Sequence, residues 1–223
     1  MLARLQDALG HRFRRPVLLT QALTHRSATP PNNERLEFLG DALLNFAVAA
    51  ALFDARPDDD EGDLSRLRAA LVRETSLAEV ARELGLAEAL RLGGGERKSG
   101  GFRRDSILAD ALEALIASVY LDAGLEAALG VCRHLFTPRL QRLPAAAALK
   151  DAKTRLQEWL QARGRARPQY RVLREQGPAH RRRFQVRCEA PDGRAADAEA
   201  DSRKAAEQQA AAVLLAQLEG DDA

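Results

Sequence analysis

Cysteine is nearly absent. Cys132 and Cys188, the only two, fall on opposite sides of the break in pattern described below, so no disulfide framework is expected and a reducing cytoplasm fits. The four histidines, His11, His25, His134 and His180, stand at no zinc-ligand spacing to either cysteine, which leaves oxygen donors for any metal. Long apolar runs are also missing. The stretches from Ala42 to Phe53 and from Ile107 to Leu121 are interrupted by polar residues or fall short of the roughly 18 residues needed to span a bilayer. Met1-Leu2-Ala3-Arg4-Leu5-Gln6-Asp7 has no apolar signal core, so neither export nor membrane association is expected. No Ser/His/Asp or Cys/His nucleophile set is evident. Lysine is scarce, with only four among 34 basic residues, so arginine carries the positive charge.

The net charge of +2 hides its distribution. Residues 150–187 hold twelve Lys/Arg against Asp151, Glu158 and Glu175, a pattern that fits either a solvated face or a surface for a polyanion. The chain divides at Leu143-Pro144-Ala145-Ala146-Ala147-Ala148-Leu149, giving expected domains 1–143 and 151–220 joined by a linker at 144–150. Before the linker the pattern is helical throughout, with breaks at Gly10, Pro30-Pro31-Asn32-Asn33, Pro57 to Gly62 and the glycines between 93 and 101, so this half is all-α. After it, Lys153 to Arg163 reads as a helix ended by Gly164, with strands at Tyr170 to Leu173, Phe184 to Cys188 and, more weakly, Arg194 to Ala200. Pro191-Asp192-Gly193 is a turn, and Ser202 can cap a last helix to about Leu218, so the order is α-β-β-β-α.

Two apolar helices carry acids. At 3.6 residues per turn, Glu34, Glu37, Asp41 and Asn45 share an arc of about 80°. Apolar residues such as Leu36, Phe38, Leu39 and Leu43 fill the other directions, so the segment is expected to be apolar nearly all round and central to the core. The segment Asp105 to Leu121 repeats the arrangement with Asp110 and Glu113. If the two helices pack together, four or five carboxylates converge, and a hard divalent cation such as Mg²⁺ relieves their repulsion. The other possibilities are neutralisation by arginines from elsewhere, or faces that diverge into solvent.

Glu34-Arg35-Leu36-Glu37-Phe38-Leu39-Gly40-Asp41-Ala42 resembles the signature of the ribonuclease III family. Asp60-Glu61-Gly62-Asp63-Leu64-Ser65 and the run from Gly101 to Ala114 resemble further conserved blocks of that family. The resemblance implies metal ligands at Glu37, Asp41, Asp110 and Glu113, with Asp41 and Glu113 in the catalytic positions. Glu34 and Glu61 match acidic positions that shape the cleft and the subunit interface, where a plain salt bridge is an equal reading. His25 also matches a family position and is taken as structural. The implied activity is endonucleolytic hydrolysis of double-stranded RNA, leaving 5′-phosphate and 3′-hydroxyl ends with a short 3′ overhang. It is expected to need Mg²⁺, two ions per site with Mn²⁺ able to substitute, and a homodimer with one acidic cluster per strand. Precursors of rRNA, and some of mRNA and tRNA, are the implied substrates.

The second half resembles a double-stranded-RNA-binding domain, a module that reads A-form shape. The resemblance puts Gln157, Glu158, Gln161 and His180 against minor grooves, and Arg203 and Lys204, at the start of the last helix, against phosphates. Trp159 and Tyr170 are read as packing residues. Ala198-Glu199-Ala200-Asp201 departs from the usual Gly-x-Gly before the serine and sets two acids near the phosphate path. Gly93-Gly94-Gly95-Glu96-Arg97-Lys98-Ser99 lacks the Gly directly before Lys of a phosphate-binding P-loop and is read as a flexible turn whose Arg97 and Lys98 could touch RNA backbone. Two rivals are weighed: a non-catalytic RNA-binding protein, opposed by the intact acids, and a metal-dependent phosphatase, opposed by the RNA-binding half.

Overall fold

The helix Asp105–Ala123 organises the N-terminal half, with eleven of its nineteen residues buried, on every side of its axis. Small residues at Ala109, Ala111, Ala114 and Ala117 let neighbours approach closely while Leu108, Leu112, Leu115 and Ile116 fill the space between them. It is a core helix with acids on it.

The computed structural model describes residues 1–178 and 181–221. Contacts divide it into two units, Met1–Ala148 and Leu149–Ala223. In the first unit the helices run α1 (Leu2–Leu9), α2 (Pro16–Ala22), α3 (Glu34–Ala55), α4 (Glu61–Val72), α5 (Glu74–Glu83), α6 (Leu86–Ala89), α7 (Gly94–Lys98), α8 (Asp105–Ala123) and α9 (Leu125–Leu140). The α4 start is fixed by Asp60, whose side chain accepts from the Asp63 N–H at 2.7 Å, a helix N-cap. Helices α3 and α5 make the most extensive packing on α8. Gly40 of α3 lies against the backbone of Glu113, close enough that a side-chain carbon there would overlap the Glu113 carbonyl.

Two expectations for this unit are corrected. Helix α3 is not buried all round: Leu36, Gly40, Leu44, Ala47, Val48 and Leu52 face inward, while Phe38, Phe46 and Phe53 are 82%, 56% and 73% exposed. Those phenylalanines recur at spacings of eight and seven, which places them on one stripe pointing away from α8. By length and mean hydropathy alone α3 suffices to cross a membrane. However, its first two turns carry Glu34, Arg35, Glu37 and Asp41, and its inner face packs on α8. The glycine-rich segment is also more ordered in pattern than a flexible turn, since Gly94–Lys98 is helical and Gly101–Arg103 is a 3₁₀ turn. Close packing explains two of its glycines: a side-chain carbon at Gly93 would overlap the Ser27 backbone, and one at Gly101 would meet the Glu96 side chain at 2.6 Å.

The second unit runs α10 (Ala152–Ala162), β1 (Gln169–Gln176), β2 (Arg183–Glu189), β3 (Ala195–Ala200) and α11 (Arg203–Asp221). The sheet is antiparallel in the order β1-β2-β3, with Val186 opposite both Val172 and Ala198. Val186 and Cys188 point inward on β2 while Arg187 points out, the alternation a half-buried strand requires. Leu156 and Leu160 of α10 meet Leu214, Leu215 and Leu218 of α11 in its larger core. Strand β1 extends three residues past its expected end. A register shift between Val172 and Arg174 leaves Leu173 unpaired, and the polar Arg174-Glu175-Gln176 continues the ladder, with Glu175 bound by Arg182 at 2.9 Å.

Candidate active site and RNA-binding module

The approach of α3 to α8 at Gly40 brings acids from the two helices together. Carboxylate oxygens of Glu37, Asp110 and Glu113 lie within 4.8 Å of one another, and all three side chains are half-buried. Among the described residues no ion pair involves any of them. Burial pushes the Glu113 carboxyl up to about 8, reinforced by the charges of Asp41, Asp110 and Glu37. Glu37 is raised by burial and then by Asp110 and Glu34, against a smaller opposing pull from Arg26. Asp110 is raised by burial, with His25 and Arg26 opposing. Three carboxyls that resist ionisation for want of a cation form a donor set suited to a hard divalent ion.

Asp41 stands one turn further along α3, exposed, with Oδ1 accepting from Asn45 Nδ2 at 2.9 Å. It lies outside the tight trio, though its charge still acts on Glu113 and Glu37. Glu34 sits at the rim, 3.7 Å from Arg26 and accepting from Asn32 Nδ2 at 3.2 Å. Glu61 is not in the cluster. It accepts from Ser65 Oγ at 3.0 Å and lines a separate hollow beside the exposed Phe53.

A cavity of about 390 Å³ adjoins the trio and is lined by Glu37 and Asp110. Its other lining includes Glu34, Glu96, His25, Arg26, Asn33 and Arg104, and of the last four only His25 is a site candidate in the sequence. Asn33 directly precedes the acidic motif, at the N-cap of α3, yet its side chain makes no cap hydrogen bond. Arg104 lies in the second acidic block and pairs with Glu96 at 2.9 Å. His25 is buried, and its Nδ1 lies 2.8 Å from Ser27 Oγ.

In the second unit, Gln157, Glu158 and Gln161 lie on α10, and Glu158 accepts from Lys150 Nζ at 2.8 Å. His180 lies outside the described residues. Arg203 and Lys204 begin α11 and are exposed, with Arg203 Nε donating to Glu207 at 2.8 Å. Ser202 Oγ accepts from the Ala205 N–H at 3.2 Å and caps that helix. Of the two acids on the departing segment, Glu199 is held by Arg183 at 2.9 Å, while Asp201 is exposed. Trp159 and Tyr170 pack against the core, with the Arg163 guanidinium 3.7 Å from the Trp159 ring centre and Lys153 4.3 Å from that of Tyr170. Arg97 and Lys98 are exposed on α7.

Comparison with known proteins agrees with this division. Residues 15–140 match the family model described as Ribonuclease-III-like, and residues 152–218 match the double-stranded RNA binding motif. The chain is 56% identical to Ribonuclease 3 of Alkalilimnicola ehrlichii over 96% of its own length and 95% of the relative's. It is 55% identical to Ribonuclease 3 of Hahella chejuensis, covering 97% and 96% of the two chains. Among solved structures, the nuclease domain of ribonuclease III from Campylobacter jejuni superposes with a TM-score of 0.61 at 43% identity, covering 63% of this chain and 99% of that one. With acids converging from α3 and α8 in one unit, a helix-flanked three-stranded sheet in the other, and relatives matched nearly end to end, the chain belongs to the ribonuclease III family.

Proposed function

We propose that the chain is a homodimeric endonuclease of double-stranded RNA in the cytoplasm, in which Glu37, Asp41, Asp110 and Glu113 hold Mg²⁺, two ions per site, with Mn²⁺ able to replace it. The observation that carries this reading is the trio of half-buried carboxylates, unpaired by any cation among the described residues, on a chain that also bears the double-stranded RNA binding motif. When bound, divalent ions supply Lewis-acid stabilisation of the attacking and leaving oxygens of a phosphodiester. The side chains contribute preorganisation: α3 and α8 hold the ligands at fixed separation, and Asn45 orients Asp41.

Asp41 and Glu113 are assigned the catalytic role, and Glu34 trims the cleft beside Arg26. Glu61, beside Phe53, belongs to the face that meets the second copy. The stripe of Phe38, Phe46 and Phe53 is the surface a second copy would cover, and it accounts for the apolar length of α3 without a membrane. Gln157, Glu158, Gln161 and His180 are assigned to minor grooves, and Arg203 and Lys204 to phosphates. Products carry 5′-phosphate and 3′-hydroxyl ends with a short 3′ overhang, and structured precursors of rRNA, mRNA and tRNA are the substrates.

A gel assay with long duplex RNA tests the core of this. Cleavage is expected with Mg²⁺ and none with EDTA. An intact duplex under both conditions would leave a binding protein, and release of inorganic phosphate from small esters would favour a phosphatase.

A further inference from the structure

The cavity beside the acidic trio is lined by two opposed chemistries: the carboxylates of Glu34, Glu37, Glu96 and Asp110, and a set of hydrogen-bond donors from His25, Arg26, Asn33 and Arg104. Some of those donors are left unused by the fold. Asn33 is only 2% exposed, and its Nδ2 has no acceptor among the described residues, a costly condition for a buried amide. The Ser27 N–H donates to His25 Nδ1 at 3.2 Å, and Ser27 Oγ, which accepts from the Gly93 N–H at 3.0 Å, has its own proton free for the same nitrogen. Nδ1 is therefore an acceptor, and the ring proton resides on Nε2, which has no partner among the described residues. Arg26 and Arg104 complete the donor set. Arg26 stands 3.7 Å from Glu34, and Arg104 pairs with Glu96 at 2.9 Å and reaches Ser99 Oγ at 3.5 Å; a guanidinium has five N–H donors, so these contacts leave others for a ligand. Neither Glu113 nor Asp41 lines this space, so it extends beyond the two acids assigned the catalytic role.

We propose that His25, Asn33, Arg26 and Arg104 form a subsite for a backbone phosphate of the RNA adjacent to the one that is cut. This rests on the nuclease reading above. These donors hold the neighbouring phosphodiester, and that fixes the register of the strand across the acids. These four are positioning residues. They satisfy nonbridging phosphate oxygens with charge-assisted hydrogen bonds, and they shield one polyanionic strand from the carboxylates beside it.

The test combines full-length variants with duplex RNAs carrying a single neutral methylphosphonate at successive positions around the cleavage site. The variants are Arg26→Gln, at an exposed side chain, and Asn33→Asp, an isosteric exchange of the free donor for an acceptor. In single-turnover cleavage by the unmodified protein, one flanking methylphosphonate is expected to slow the reaction on the order of ten- to a hundredfold, the equivalent of one charge-assisted bond. In either variant the all-phosphate RNA is expected to be cut more slowly, with little further loss on neutralising that same position. Such coupling is something a merely structural role would not produce. If Asn33→Asp fails to fold, Arg26→Gln alone carries the test. Cleavage by the unmodified protein with equal, uncoupled losses at every flanking position overturns the subsite while leaving the nuclease reading intact. Absence of cleavage on all-phosphate RNA overturns the nuclease reading and the subsite with it. Weaker inhibition of the variants by inorganic phosphate, without methylphosphonate coupling, assigns the pocket to a free anion and also overturns the proposal.

Discussion

Gly40 and Glu113 share the closest passage between α3 and α8, and the glycine lies between Glu37 and Asp41 in the chain. The residue that allows the helices to approach is thus embedded in the acidic motif that the approach serves. Gly40→Ala should force α3 away from the Glu113 carbonyl. A destabilisation of about 1–3 kcal/mol is expected from overpacking, measurable in urea. Because the displacement occurs at the proposed ligands, Mg²⁺ dependence should shift to higher concentration as well. Unchanged stability with unchanged Mg²⁺ response would show that the helices accommodate the methyl elsewhere.

Removing one ligand charge should separate chemistry from binding. Asp41→Asn and Glu113→Gln are nearly isosteric, and both residues belong to the first unit. Each should lower cleavage more than about a hundredfold, since several kcal/mol of charge stabilisation is lost. Retention of the RNA in gel shifts should barely change. Near-normal cleavage by either variant at limiting Mg²⁺ would remove that residue from the ligand set.

Much of this site is legible in the sequence, and what is not has physical reasons. The acids show at helical spacing because burying charge on an apolar helix is unusual. The exposed stripe of α3 does not show, because Phe38, Phe46 and Phe53 contribute the same apolar pattern whether they face a core or a partner. The donors of the cavity come from three separate segments, and spacing along one helix cannot reveal Arg26 or Arg104 in the same cavity as Glu37. Asn33 was visible as a residue before the motif, but its unused amide emerges only when its neighbours are in place. The polar end of β1 escapes the alternation rule because backbone pairing and the Arg182–Glu175 contact, not burial, sustain it.

The raised carboxyls predict a pH effect in metal-free protein. Glu113 is lifted from an ordinary value of 4.5 to about 8, so the folded state binds a proton that the unfolded state releases. Stability should therefore fall as pH rises from about 4.5 to about 8, and Glu113→Gln should reduce that slope and raise the Tm at pH 8 without metal. Mg²⁺ must displace the same proton, so its affinity for the unmodified protein should rise with pH over this window. Isothermal titration in buffers of different ionisation heat would count the protons released. A pH-independent affinity would contradict the shift.

The α3 stripe predicts the oligomeric state. Phe46→Glu puts a charge on a face already exposed in one copy, so a monomeric fold should tolerate it. Sedimentation should give twice the chain mass for the unmodified protein and a single mass for the variant. Mixing unmodified and Asp41→Asn chains should yield dimers that nick one strand, as the proposal of one acidic cluster for each strand of an antiparallel duplex requires. A monomer that cuts both strands at full rate would remove the need for two clusters.

The second unit has its own core of α10, α11 and the sheet, so the fragment Leu149–Ala223 should fold alone and bind duplex RNA. If its proposed contacts to phosphates and A-form shape are made, affinity should fall steeply with salt and depend little on sequence. Glu199 occupies Arg183, which lies in the basic stretch, and Asp201 directly precedes the serine cap of α11. Each acid lowers the positive potential at the helix start where Arg203 and Lys204 stand. Glu199→Gly with Asp201→Ser should therefore tighten RNA binding and steepen its salt dependence, because Arg183 becomes available to a phosphate and one repulsive charge is gone. Glu199→Gly alone should also cost some sheet stability, since it removes a cross-strand ion pair and puts glycine in β3. Fluorescence anisotropy of the fragment with a labelled duplex at two salt concentrations separates the two effects. Unchanged affinity in the double variant would mean that the Glu199–Arg183 pair lies off the RNA path.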